Sequence, residues 1–389
     1  MTDPLAKVSA IAEGVQRQAH EVETPELTVV VCTLGEAAVD DTVSSILASA
    51  RAAGRAVEVV VVWQGTKRPP QFSDEVEVLD VFPVGLSYAR NRGLAVARAP
   101  VVAFVDDDEV VDHGWVTGVI AAFEREHRPD GVFGPVAPLD DRGLPYCHYE
   151  GGEHKVFDKR DTPPWIVGTG GNMAFRRDVL AAAGGFDTRF GIGAPRRSAE
   201  ESELVVRLLG QGRVLAFSPE MPVYHPSKNE HEHLASRYPY GFGMGSVMRR
   251  HRRPVLAVRY FVTIGQVLAE SLRQGDVRRR REVLATLRSF LAGMLSAGDA
   301  ASPAAALERL PAQLREKLGE AVPEPLRATL GEHPHYRYAA GDGNVLHVYV
   351  SPTSDLVDSV STGDGTGDSR ILAHIHDRDA LWVLERGAS

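Results

Sequence analysis

The run Val101-Val102-Ala103-Phe104-Val105-Asp106-Asp107-Asp108 sets five apolar residues directly against three carboxylates. Carboxylates crowded at one point repel each other. A hard divalent cation that takes oxygen ligands, Mg²⁺ or Mn²⁺, offsets them most economically, with a phosphorylated substrate as co-ligand. Side chains alternate along an extended backbone, so Asp106 and Asp108 are expected to point to one side. A solvated acidic turn or a helix N-cap would use the same residues without chemistry. A second acidic run, Glu200-Glu201-Ser202-Glu203-Leu204, opens a helical stretch. A carboxylate can take part in proton transfer where it lies within hydrogen-bond reach of the proton. The plain alternative is that acids suit the first helical turn.

Those residues need elements to hold them. Short apolar runs bounded by polar breaks read as buried parallel strands, and such sheets place ligands beyond the carboxyl ends of their strands. Strands are expected at Leu27–Cys32, Val57–Val62, Val76–Val81, Val101–Val105 and Val214–Phe217. Helices are expected at Val39–Ala53, Ser87–Ala97, Trp115–Glu126, Arg177–Ala183 and Ala199–Leu209. The alternation predicts an α/β fold, a mostly parallel sheet flanked by helices. Gly- and Pro-rich segments fill Gly131 to Gly171. The Gly241-Phe-Gly-Met-Gly-Ser246 run imitates a phosphate loop but follows no strand, and is set aside.

In order along the chain stand Val31-Cys32-Thr33-Leu34-Gly35, then Gly85-Leu86-Ser87-Tyr88-Ala89-Arg90-Asn91-Arg92-Gly93, then Asp106-Asp107-Asp108. Gly170-Gly171-Asn172-Met173-Ala174-Phe175-Arg176, Gly184-Gly185-Phe186-Asp187, the Glu200–Leu204 run and Val223-Tyr224-His225 follow. This series, over about residues 27–226, resembles the family-2 glycosyltransferases. The resemblance implies a GT-A (Rossmann-like) fold and a metal-dependent, inverting transfer of a sugar from a nucleotide-diphosphate donor to an acceptor hydroxyl. It places Asp106 nearer the ribose and also on the metal, Asp108 on the metal, and His225 where it completes the metal site or touches the diphosphate. Thr33, Arg90, Asn91, Gly171 and Asn172 then line the donor. Glu201 is the expected base where the family carries Asp, with Glu200 beside it in a structural or acceptor-positioning part. A second departure lies after Glu58–Val62, where the family ends its strand in an acid and this chain has Trp63-Gln64. Trp63 could stack on the base, or Gln64 could bond to it. The usual uridine preference therefore does not carry over.

The formal net charge of −9 argues against nucleic acid as the main partner. Two cysteines, Cys32 and Cys147, carry no metal-ligand spacing and no disulfide framework, which suits a reducing cytosol. Residues 1–26 are polar, without the apolar core of a signal peptide, and residues 4–22 read as an N-terminal helical arm. The expected location is cytoplasmic, with association at the inner membrane face as the alternative. Five segments follow: the arm at 1–26, the transferase domain at 27–230, a basic helical region at 231–300, a Pro/Ala-rich linker at 301–329 and a small C-terminal α+β unit at 330–389.

From Lys228 to Ser289 there are 13 Lys and Arg against 5 Asp and Glu. Those helices could meet anionic lipid or a lipid-diphosphate acceptor, while a solvated basic face is the plain reading. The stretch Pro254 to Leu272 is apolar but broken by Arg259, Gln266 and Glu270, and reads as too charged to span a bilayer. In the tail, Val345–Val350, Ile371–Ile375 and Ala380–Leu384 read as strands, with a flexible loop at 361–369. The acceptor (glycan, lipid-linked or small molecule) is not legible. Two competing classes remain: a catalytically silent glycosyltransferase-like binding protein, and a sugar-phosphate nucleotidyltransferase. The second needs a basic Gly-rich loop after the first strand, and Thr33-Leu34-Gly35-Glu36 has none.

Overall fold

Valine runs buried on both sides make the centre of the protein. In the computed structural model the described residues are 24–35, 39–64, 69–81, 85–140, 152–194, 196–227 and 229–296, with four strands between 335 and 386. The helical arm expected at 4–22, the linker at 301–329 and the loop at 361–369 lie outside them. The main sheet contains β1 (Leu27–Thr33), β2 (Val57–Trp63), β3 (Val76–Asp80), β4 (Val101–Asp106), β6 (Gly131–Phe133), β8 (Lys155–Phe157), β9 (Asn172–Arg176) and β10 (Leu215–Phe217). Its order is β3-β2-β1-β4-β9-β6-β10-β8. The first four strands are mutually parallel, β9 runs antiparallel to β4 and β6, and β8 antiparallel to β10. A smaller sheet joins β5 (Val110–Val111), β11 (Val223–His225) and β7 (Val136–Pro138) in that order.

Period-two alternation divides the core. Val29, Val31, Val59, Val61, Ala103 and Val105 face one side, where they meet Val43 and Ile46 of α1 (Val39–Ala53) and Trp115 and Val119 of α3 (Trp115–Glu124). Val30, Val60, Val62, Val102 and Phe104 face the other. There they meet Ala89 and Leu94 of α2 (Leu86–Val96) and Leu204 and Leu208 of α5 (Glu200–Gly210). Each buried Val or Leu contributes roughly 1.5–3 kcal/mol, so the central strands are the fixed part of the fold. From β1 the chain crosses to β2 and β3, then returns to the other side of β1 as β4. The strand order reverses between β1 and β4, which opens a crevice at their carboxyl ends. Cys32 and Asp106 are register partners there.

Strand β9 fills the stretch 172–176, to which the sequence reading gave no element, and the helix expected from Arg177 is present. Asn172–Arg176 forms a buried strand between β4 and β6, and α4 (Arg177–Ala182) follows it directly. Beyond β11 come α6 (Glu230–Ala235), α7 (Arg237–Arg250), α8 (Pro254–Arg273) and α9 (Val277–Leu295). These helices belong to the same compact unit as the sheet. Met244, Val247, Leu256 and Phe290 share a core with Phe190 and Val206 of the sheet side. The glycine run in α7 is a packing face: a Cβ at Gly245 would sit 2.1 Å from the Phe290 carbonyl of α9. A second unit holds β12 (His335–Ala339), β13 (Asn344–Val350), β14 (Ile371–Asp377) and β15 (Ala380–Arg386) in an antiparallel sheet of order β12-β13-β15-β14. Between 335 and 386 its described residues are all strand.

Candidate active site

β4 stops at Asp106, and Asp107 and Asp108 form a turn closed by the Glu109 N–H on the Asp106 carbonyl at 3.3 Å. Alternation therefore does not govern Asp108, and the three carboxylates reach three different partners. Asp106 Oδ1 takes Arg90 Nη2 at 3.0 Å. Asp107 takes the Thr33 hydroxyl. Asp108 Oδ2 lies 3.4 Å from His225 Nε2. Burial, then the charges of Asp106 and Asp108, push the Asp107 carboxyl up to about 6 despite the Thr33 bond.

Beneath the triplet lies Glu109, which sequence reasoning passed over. It is 1% exposed, and its Oε2 accepts the Asp106 N–H at 3.1 Å. Burial first, and the Asp106 charge next, raise its carboxyl well above the ordinary range. Its carboxyl also explains Gly171. A Cβ there would sit 2.3 Å from Glu109 Oε1, so only glycine lets the β9 entry pass.

Arg90 joins the parts. It is 2% exposed and comes from α2, yet its guanidinium reaches three elements. Nη1 donates to Glu200 Oε1 at 2.8 Å, and Nη2 donates to Asp106 Oδ1 at 3.0 Å and to the Gly170 carbonyl at 2.9 Å. The Phe186 ring packs against its face at 5.5 Å. Burial alone would lower its pKa, but Glu200 and Asp106 carry it above the ordinary value. One planar fork thus ties the carboxylate turn to the start of α5, which is a use of Arg that Lys cannot copy.

The acids of α5 divide their work. Glu200 is buried on Arg90. Glu203, also buried, takes Arg207 Nη2 and His251 Nε2, each at 2.8 Å. Glu201 is half-buried and accepts the Ser202 hydroxyl at 2.9 Å. Burial, then the Glu200 charge, push its carboxyl up to about 7, with Ser202 and Arg90 opposing. Ahead of it Ala199 sits in the left-handed region at φ 66, and Arg197 at φ 64. Such residues cost of order 1–3 kcal/mol each and persist where the surroundings dictate them. Here the Ala199 carbonyl accepts the Glu203 N–H at 2.8 Å, so the bend aims the acids as the helix begins.

Other expected donor residues are placed as follows. Thr33 is buried, and its Oγ1 accepts the Gly35 N–H at 2.9 Å. Trp63 is 4% exposed and lies over Gly35, where a Cβ would meet its ring at 2.6 Å. Gln64 is buried, and its Oε1 accepts the Gly85 N–H at 3.3 Å. Asn91 clamps Phe186 in both directions: Nδ2 donates to its carbonyl and Oδ1 accepts its N–H, both at 2.8 Å. Asn172 is fully buried. Its Nδ2 donates to the Pro135 and Met221 carbonyls at 2.8 and 2.6 Å, and its Oδ1 accepts Trp115 Nε1 at 3.1 Å. Both amides are thus engaged in the fold.

The sequence-expected metal residues converge in part. Among the described residues no group of three or more His, Cys, Asp or Glu is arranged to hold an ion. The pair Asp108–His225 nevertheless has suitable chemistry. His225 Nδ1 lies 2.7 Å from the Pro226 carbonyl, which can only accept, so Nδ1 carries a proton. In a neutral ring Nε2 then presents a lone pair toward Asp108, and such fixing by an outer carbonyl is how metal-binding histidines are oriented. A carboxylate and an imidazole facing each other fit a divalent cation.

The chain has relatives among known proteins. Residues 28–184 match the family model described as "Glycosyl transferase family 2". The chain is similar to a glucosyl-dolichyl phosphate glucuronosyltransferase of Haloferax volcanii, 26% identical over 232 residues, covering 51% of this chain and 69% of that protein. It is also similar to the succinoglycan biosynthesis protein ExoM of Rhizobium meliloti, 26% identical over 228 residues, 55% of this chain and 71% of that one. A solved mannosyltransferase of Pyrobaculum calidifontis, in complex with GDP-Man and Mn²⁺, is 17% identical, covers 80% of this chain and 86% of its own, and gives a TM-score of 0.45.

Proposed function

For a chain that carries a family-2 glycosyltransferase domain, we propose a metal-dependent, inverting transfer of a sugar from a nucleotide-diphosphate donor to an acceptor hydroxyl. The observation that carries this reading is the Arg90 bridge. One guanidinium holds Asp106 on one side and Glu200 on the other, so the carboxylate turn and the acids of α5 face the same crevice. Asp108 and His225, with Asp106 beside them, are the residues that would hold Mn²⁺ or Mg²⁺, which neutralises charge at a departing diphosphate. Glu201 takes the proton of the acceptor hydroxyl as that oxygen attacks the anomeric carbon from the face opposite the leaving group. Its carboxyl, raised to about 7, is matched to that task at neutral pH. Glu200, fixed on Arg90, positions the start of α5.

Thr33, Trp63 and Gln64 close the nucleotide end of the crevice at the ends of β1 and β2. The burial of Trp63 over Gly35 supports a shape-defining part for it. Asp106 lies on the ribose side of the donor, and the Gly170–Gly171 turn supplies backbone beside the sugar. For the acceptor, the relative from H. volcanii is named for a lipid-phosphate sugar, which supports a lipid-linked hydroxyl here. The proposed location is the cytoplasm, at the inner membrane face.

Release of nucleoside diphosphate from a panel of nucleotide sugars, with Mn²⁺ and with excess chelator, tests the proposal. Turnover of one or more donors that needs the metal supports it. Absence of turnover and of binding across UDP-, GDP-, ADP- and dTDP-sugars would refute it.

A further inference from the structure

Helix α8 turns an apolar face outward. Val255, Val258, Val262, Gly265, Ala269 and Leu272 are all exposed and recur at alternating steps of three and four, which makes one continuous stripe. Val258 is 61% exposed, Val262 54% and Leu272 57%. Phe261 stands beside them, also exposed. The next helix continues the pattern, with Val277, Leu284 and Leu291 exposed at seven-residue intervals. By length and a mean hydropathy of 1.4, α8 could cross a membrane, yet only 22% of that stretch is buried, unlike a core helix.

The charges around this face are mostly positive. From Pro254 to Leu295 there are seven arginines and three acids. Arg259, Arg273, Arg278, Arg279, Arg281 and Arg288 are exposed, whereas Glu270, Asp276 and Glu282 are each half-buried. The acids are also engaged locally. Glu270 pairs with Arg273 at 2.6 Å, and Glu282 with His233 at 3.6 Å and Arg278 at 3.7 Å. Asp276 Oδ1 accepts the Arg279 N–H at 2.9 Å. An exposed apolar stripe edged by arginine, on a chain of net charge −9, fits a negatively charged surface with an apolar layer beneath it.

We propose that the outward face of α8 and α9 is a docking surface for an anionic lipid bilayer, with α8 lying in the plane of the interface. The inference names the surface for the membrane location proposed above and does not depend on the transfer chemistry. Arg259, Glu270 and Arg273 within α8 favour lying over spanning. A second copy fits less well, because two-fold pairing sets one arginine-edged stripe against another.

Vesicle flotation of the full chain, without donor, tests it. The chain should float with phosphatidylcholine vesicles containing about one part in three phosphatidylglycerol, sink with phosphatidylcholine alone, and release as salt rises. Val258→Glu/Val262→Glu should abolish flotation at every salt concentration. Arg279→Glu/Arg281→Glu should weaken it by roughly 30-fold or more, taking about fivefold for each arginine. Both variants should keep the wild-type melting temperature and nucleoside-diphosphate affinity, so failure to dock and failure of the transferase reading are separable. Wild-type chain that does not float, or a Val258→Glu/Val262→Glu variant that floats normally, overturns the proposal. A wild-type dimer in sedimentation that this same variant dissociates, without vesicle binding, would assign the face to a second copy instead.

Discussion

Glu201→Gln keeps the size of the side chain and an acceptor for the Ser202 hydroxyl, but removes the charge and the capacity to take a proton. If Glu201 is the base, turnover should fall by roughly 10²–10⁴-fold while nucleoside-diphosphate affinity stays near normal. The same change should stabilise the fold. The wild-type carboxyl rises from 4.5 to about 7 on folding, because burial and then the Glu200 charge disfavour its ionised form. A raised carboxyl stabilises the fold most below its unfolded value, and that stability is lost as pH climbs through the folded value near 7. Above pH 7 the wild type therefore bears the full cost of the buried charge. That cost is roughly 1–3 kcal/mol once discounted for half-burial. Glutamine bears none of it, so Glu201→Gln should melt about 2–10 °C higher at pH 8 and within about 1 °C of wild type at pH 4.5. Turnover of the wild type should show a rising limb with an apparent pKa near 7, absent from the variant. A Glu201→Gln protein with near-normal turnover would refute the assignment, and a collapse confined to Glu200→Gln would move the base by one residue. Equal melting temperatures at pH 8 would show that the buried charge is not as placed.

Arg90→Lys keeps the charge but cannot serve Glu200, Asp106 and the Gly170 carbonyl with one planar fork; chemical denaturation should show a loss of roughly 2–4 kcal/mol together with reduced turnover, and an unchanged protein would remove Arg90 as the bridge. Gly171→Ala drives a Cβ against Glu109 and should cost roughly 2 kcal/mol or more in chemical denaturation, whereas Glu109→Gln keeps the size of the side chain and an acceptor for the Asp106 N–H and should cost less; a larger loss in the second variant would remove the Gly171–Glu109 contact as the reason for glycine.

The parallel half of the sheet was legible because its strands are covered on both faces. Val29–Val31, Val59–Val62 and Val101–Val105 must be continuous apolar runs to satisfy two cores at once. Of the remaining strands of that sheet only β10 was, at the expected Val214–Phe217, and the smaller sheet was not. β9 begins Asn172-Met173 straight after two glycines, and β5, β6 and β7 have two or three residues each, too few for a periodicity to register. At the site, the order of motifs located the acids but not their partners. The alternation expected to align Asp106 and Asp108 does not reach Asp108 because the strand ends at Asp106, a boundary that three identical residues conceal. Glu109 was passed over, since its burial is against Gly171, distant in sequence. Arg90 and Asn172 followed the same logic. A helix arginine is ordinarily exposed and an asparagine after glycines ordinarily turns the chain, and only the packing of α2, β4, β9 and α5 around them makes one a bridge and the other a buried lock.

Calorimetric titration of UDP and GDP into the full chain, with Mn²⁺ and with excess chelator, addresses the central claim most directly: that Asp108 and His225 hold an ion under a nucleotide diphosphate. At least one nucleotide should bind, its affinity should fall tenfold or more with chelator, and in Asp108→Ala the two conditions should give the same weakened affinity. Equal affinity for the wild type with and without chelator, or an Asp108→Ala protein that keeps the metal dependence, would contradict the account.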